Sequence, residues 1–107
     1  MNLKTEKMGY YTSHKLSIIS GNDGFTDYEQ EITDSTDYSS LFDESIKWYD
    51  CEKDMKAYSK KHPNVVFCID GKGEESGDIW RAYFKNGKTF RTKAVLVFEN
   101  FSIEKLS

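Results

Sequence analysis

The chain has a single proline, two cysteines and no apolar run near the roughly 20 residues needed to span a bilayer. The missing apolar run excludes a membrane helix. Two cysteines are too few for the disulfide scaffolds that hold small secreted domains together, and Cys51 and Cys68 read as reduced, buried thiols. Residues 1–7 lack the apolar core of a signal peptide, so the expected location is the cytoplasm. Zinc wants four ligands at close spacing. Two cysteines with His14 and His62 do not supply that pattern. Asp34, Asp37 and Asp43 lack the spacing, glycine and closing glutamate of a calcium loop. No Ser-His-Asp or Cys-His signature is present. The expectation is therefore a binding protein and not an enzyme, without cofactor or metal.

The chain is rich in large rings: seven Tyr, seven Phe and two Trp among 107 residues. Rings bury enough area to hold one small domain, and the length leaves no room for a second. Residues 1–8 are set apart as a stretch open to disorder. Charge is unevenly placed. Residues 22–54 carry eleven carboxylates against Lys47 and Lys53, while residues 55–107 carry ten basic residues against six acids.

Residues 9–20 alternate as a strand does, with Tyr10, Leu16 and Ile18 on one parity. Gly21-Asn22-Asp23-Gly24 is a turn signal. Phe25–Ile32 is then expected to return as a second strand, with Asp27, Glu29 and Glu31 on one face and Tyr28 and Ile32 on the other. Tyr38, Leu41 and Phe42 are spaced for a short helix within 33–45, and residues 46–49 for a short extended piece. The main helix is expected at 51–62. Asp50 is its N-cap, Cys51, Met55 and Tyr58 its buried stripe, and Pro63 its stop. Val65–Ile69 reads as a central strand and residues 71–77 as a loop. Strands at 78–85 and 88–98 are joined by Asn86-Gly87, the strongest hairpin signal in the chain. That turn sets Lys85 against Lys88, Tyr83 against Phe90, Arg81 against Thr92 and Trp80 against Lys93. It leaves open which hairpin face is buried. The fold expected is α+β: an antiparallel sheet of four to five strands with one main helix packed on one face.

Three sets of residues are functional candidates. The acidic segment, with Asp27, Glu29, Glu31, Asp34 and Asp37, includes Trp48 and Tyr49 as aromatic anchors and would suit a partner with a basic surface. The loop with Glu74, Glu75 and Asp78, next to Trp80, is a second candidate, for a small enzyme or a ligand- or metal-binding protein. Its Gly71-Lys72-Gly73 is no phosphate cradle, because a strand follows where a helix N-terminus is needed. The basic hairpin over 80–93, with Arg81, Lys85, Lys88, Arg91 and Lys93 among Trp80, Tyr83 and Phe90, is the third. Direct nucleic-acid binding is disfavoured, because the acidic segment would repel phosphates.

The stretch from Gly71 to Lys88 resembles a group of small phage and prophage proteins sharing G-x-G-E-E-x-G-D-x-W followed by Y-F-x-x-G-K. Gly9–Ser13 and Ile46–Asp50 are also similar, with Cys51 standing where a histidine or another polar residue would be expected. The resemblance carries no transferable chemistry. It implies an anti-defence protein, of which anti-CRISPR proteins are one class. Such a protein would act in the host-cell cytoplasm on a host defence or nucleic-acid-processing protein, a CRISPR effector being one such target. The oligomeric state stays open.

Overall fold

The structure is a computed structural model and describes residues 10–94 and 103–106. Residues 1–8, and the part of the last expected strand beyond Ala94, lie outside the described residues. Four antiparallel strands run β1 (Thr12–Ser20), β2 (Val66–Gly73), β3 (Ile79–Lys85) and β4 (Lys88–Lys93), and their order in the sheet follows the chain. Two helices, α1 (Tyr28–Asp34) and α2 (Cys51–Ser59), lie in the connection between β1 and β2. A 3-10 turn covers Ile103–Lys105. The α+β class holds, with two helices in place of one main helix.

Alternation places His14, Leu16 and Ile18 of β1, Phe67 and Ile69 of β2, and Trp80, Ala82 and Phe84 of β3 on the same sheet face. This face carries the core. Phe67, Ile69, Ala82 and Phe84 are buried with Ile32 of α1 and with Met55 and Tyr58 of α2. Phe67 meets the rings of Tyr28 and Tyr58, each at 5.4 Å between centroids. The hairpin pairs in the expected register, and Asn86 and Gly87 have φ of 48° and 81°, as a type I′ turn requires. Its buried face, left open by the sequence, is the one with Trp80, Ala82 and Phe84. The turn is fastened to α2, because the Gly87 N–H donates to Ser59 Oγ at 2.7 Å.

The expected strand at 25–32 is a helix. Asp23 accepts from the N–H groups of Phe25 and Thr26 at 2.9 and 2.8 Å, which bends the chain away from a hairpin. Asp27 then caps α1 by accepting from the Gln30 N–H at 3.2 Å. Glu29 and Glu31 fall in the first turn, where the helix dipole favours acids. Tyr28 and Ile32 are four apart and both buried, a spacing that fits a helix stripe as well as strand parity. The helix expected within 33–45 is absent; bends and turns stand there. The hydroxyls of Ser35 and Thr36 donate back to the Ile32 and Thr33 carbonyls at 2.7 and 2.8 Å, ending α1 and competing with a further helix. Helix α2 stops at Ser59, short of the expected residue 62. The expected loop at 71–77 is shorter, since β2 continues through Gly73.

Candidate functional site

Residues from three separate stretches of the chain meet at one cleft of about 480 Å³ on the helix-covered side of the sheet. Tyr10 and Thr12 come from the start of β1, Trp48 and Tyr49 from the chain before α2, and Asp78 and Trp80 from the start of β3. Cys51 and Glu52 of α2 and Arg91 of β4 complete it. Thr12 and Ile46 exchange backbone hydrogen bonds at 2.9 and 3.0 Å, which ties the 46–49 segment along β1.

The two glycines of the G-x-G motif act by making space. A Cβ at Gly71 would overlap the Trp80 indole, and one at Gly73 would overlap Asp78 and the Tyr10 hydroxyl. The missing side chains let Trp80 lie flat across β2 and let the Tyr10 hydroxyl donate to Asp78. That bond holds the Tyr10 phenol above its ordinary pKa. Tyr10 also accepts from the Glu75 N–H at 3.3 Å, and Glu74 accepts from the Tyr11 N–H. The 74–78 loop therefore works as a clasp on the start of β1: Glu74 and Asp78 spend their carboxylates on it, and Glu75 contributes its backbone.

His14 forms part of the cleft lining, only 5% exposed, with its ring edge-on to Trp48 and Trp80 at 5.2 and 5.9 Å. Burial lowers its pKa to about 4, outweighing the nearby Thr12 carbonyl. It is thus neutral at pH 7, with one donor and one acceptor nitrogen. Nδ1 is buried with no hydrogen-bond partner. The Arg91 guanidinium lies over the Trp80 ring at 4.3 Å. Cys51 is buried, and its thiol is pushed up to about 12 by loss of solvent, which makes it a poor nucleophile. The cleft has an aromatic floor, one guanidinium and the carboxylate of Glu52, with the Asp78 carboxylate already bonded to Tyr10. That arrangement can grip a polar or cationic group; it has no activated nucleophile–base pair. Among the described residues no three His, Cys, Asp or Glu side chains are grouped to hold a metal ion.

The acidic candidates divide. Trp48 and Tyr49 join Asp78 and Trp80 in the cleft. Trp48 is 5% exposed and donates its indole N–H to Asp54 at 2.8 Å, so it forms the floor and does not project as an anchor. Asp27, Glu29, Glu31 and Asp34 sit on or at the cap of α1, and Asp37 is exposed in the bend that follows. The row of carboxylates on a strand face does not exist. Asp27 and Glu29 instead border a shallow hollow of about 110 Å³ with Asp43. Glu31 is exposed but engaged, accepting from the Tyr58 hydroxyl at 2.7 Å with His62 Nε2 at 3.1 Å; these contacts hold its carboxyl below the usual range. Asp34 accepts from Gln30 at 2.8 Å.

Sequence reasoning grouped Arg91 with Trp80 on the hairpin but did not connect His14 and Glu52 with them. The register did contain part of the signal: Arg91 shares the parity of Trp80 across the hairpin, and His14 pairs with Gly71. No helix among the described residues is long and apolar enough to cross a membrane. No family model, no curated protein and no solved structure matches the chain.

Proposed function

We propose that this chain is a binding protein of the anti-defence type that engages a basic surface on a host defence or nucleic-acid-processing protein, and so inhibits or modulates it. The observation that carries the reading is an acidic surface left largely without cations. Among the described residues, the only contact of the 22–54 carboxylates with a basic side chain within ion-pair range is Glu31 with His62. Unneutralised carboxylates beside solvent raise the encounter rate with a basic partner. The aromatic cleft lies on the same side of the sheet, with Glu52 exposed at its edge and Tyr49 in its lining. Phe25, 86% exposed and two residues before the α1 cap, adds an apolar contact point to this surface.

The test is affinity capture from a bacterial host lysate, followed by surface plasmon resonance on the captured protein. Reversing Asp27, Glu29 and Glu52 to Lys is expected to slow association at least tenfold at low salt, and added salt is expected to narrow the difference. An association rate unchanged by the triple reversal at both salt concentrations would remove the acidic surface from the function.

A further inference from the structure

The other face of the sheet has the opposite character. Alternation puts Lys15, Lys72, Lys85 and Lys88 on it, together with Tyr83 and Phe90. The two rings lie side by side across the hairpin, 6.4 Å between centroids and inclined by 24°. Phe90 is 65% exposed. Neither α1 nor α2 covers this face, since the buried side chains of both belong to the core on the other side. The carboxylate that the four described strands place on this face is Asp70, and Arg81 neutralises it through Nε at 2.5 Å and Nη2 at 3.4 Å.

We infer that the helix-free face is a binding surface for single-stranded nucleic acid. Every base has a π-face, and a sheet presenting exposed rings among lysines can stack bases while the ammonium groups meet phosphates. Lys85 and Lys88 flank the ring pair on one side, and Lys15 and Lys72 lie toward the far strands. The acidic segment does not forbid this. Its helix-borne carboxylates, Glu29, Glu31, Asp34, Glu52 and Asp54, belong to elements that pack on the opposite face of the sheet, and fields are screened over about 8–10 Å near physiological ionic strength. The strands place four lysines and a single, neutralised carboxylate on this face, so an acidic chain can still offer phosphates a basic face. Charge complementarity selects nucleic acid over a second copy of this chain, because two copies joined through this face would oppose lysine to lysine.

The experiment is fluorescence anisotropy of a labelled mixed-sequence single-stranded DNA 12-mer, and of the RNA of the same sequence, titrated with the full chain. Binding is expected to weaken with salt, with a log–log slope of about −2 to −3 if the four lysines each displace one counterion. Phe90→Ala is expected to weaken binding about tenfold, the scale of one lost base stack. Lys85→Glu with Lys88→Glu is expected to weaken it further. All three positions are exposed, so the variants should keep the fold, which a thermal melt verifies. Three results would each overturn the inference. They are no anisotropy change at low salt, equal affinity for a duplex of the same sequence with no effect of Phe90→Ala, or a Phe90-dependent dimer in sedimentation that leaves the oligonucleotide unbound.

Discussion

The two sides of the sheet are built from the same strands and differ in almost every physical respect. One side holds Phe67, Ile69, Ala82 and Phe84 under two helices, of which α1 is acidic and α2 carries acids and lysines together. The other holds Lys15, Lys72, Tyr83, Lys85, Lys88 and Phe90, with neither α1 nor α2 over them. The pleat assigns each strand residue to its side, so neighbouring residues of one strand enter the core or face away from it. The buried ring contacts that hold the fold belong to the first side.

Truncation should expose that asymmetry most strongly. Phe67→Ala removes a fully buried ring that packs on Tyr28 and Tyr58, and is expected to cost about 3–5 kcal/mol in urea denaturation. Phe90→Ala, on the opposite side, should change stability by no more than about 0.5 kcal/mol. Comparable losses at the two positions would erase the distinction.

Acid should act through the helix-covered side. His14 has a folded pKa of about 4 against an ordinary 6.5. Below pH 6.5 the unfolded chain takes a proton that the folded chain refuses until about pH 4. Stability is therefore present above 6.5 and is lost as pH falls across that window, by about 3 kcal/mol from this residue. Glu31, whose carboxyl is held down by Tyr58 and His62, also favours the fold at neutral pH and loses that effect at lower pH. Denaturation midpoints at pH 7.5 and pH 4.5 for the wild type and His14→Gln check the assignment. The variant should lose most of the dependence between 6.5 and 4.

Gly71→Ala tests whether the cleft depends on the space beside β2. The added methyl must displace the Trp80 indole, so a cost of about 1–3 kcal/mol and a shift in tryptophan emission are expected. An unchanged spectrum with full stability would show that Trp80 is not held there by the glycine. The smallest effect is expected at the α1 cap, where Asp27→Ala should cost about 1 kcal/mol, measured by thermal melt.

Those elements were legible to different degrees for identifiable reasons. The hairpin register followed from Asn86-Gly87, because a two-residue turn with positive φ permits one pairing. The stripe of Cys51, Met55 and Tyr58 followed from helical spacing, and all three are buried. The 25–32 segment was misread because Asp27, Glu29 and Glu31 alternate as strand residues do. Seven residues are too few for periodicity to separate a strand from a helix. The capping bond from Gln30 to Asp27 decided for the helix.

By itself, the sequence determined the α+β class, the tight hairpin, the helix after Asp50 and the split of charge along the chain. These rest on local chemistry: turn dihedrals, acids in the first helical turn and the periodicity of apolar residues. Only the tertiary structure decided which face of the hairpin is buried, that Tyr10, Trp48, Tyr49, Asp78 and Trp80 share a cleft, and that Lys15, Lys72, Lys85 and Lys88 lie on the sheet face turned away from α1 and α2. Those outcomes depend on contacts between residues as far apart as Tyr10 and Asp78, and on helices choosing one face of the sheet. Local patterns hold no information about such choices, because both faces of a strand obey the same alternation until something packs on one of them.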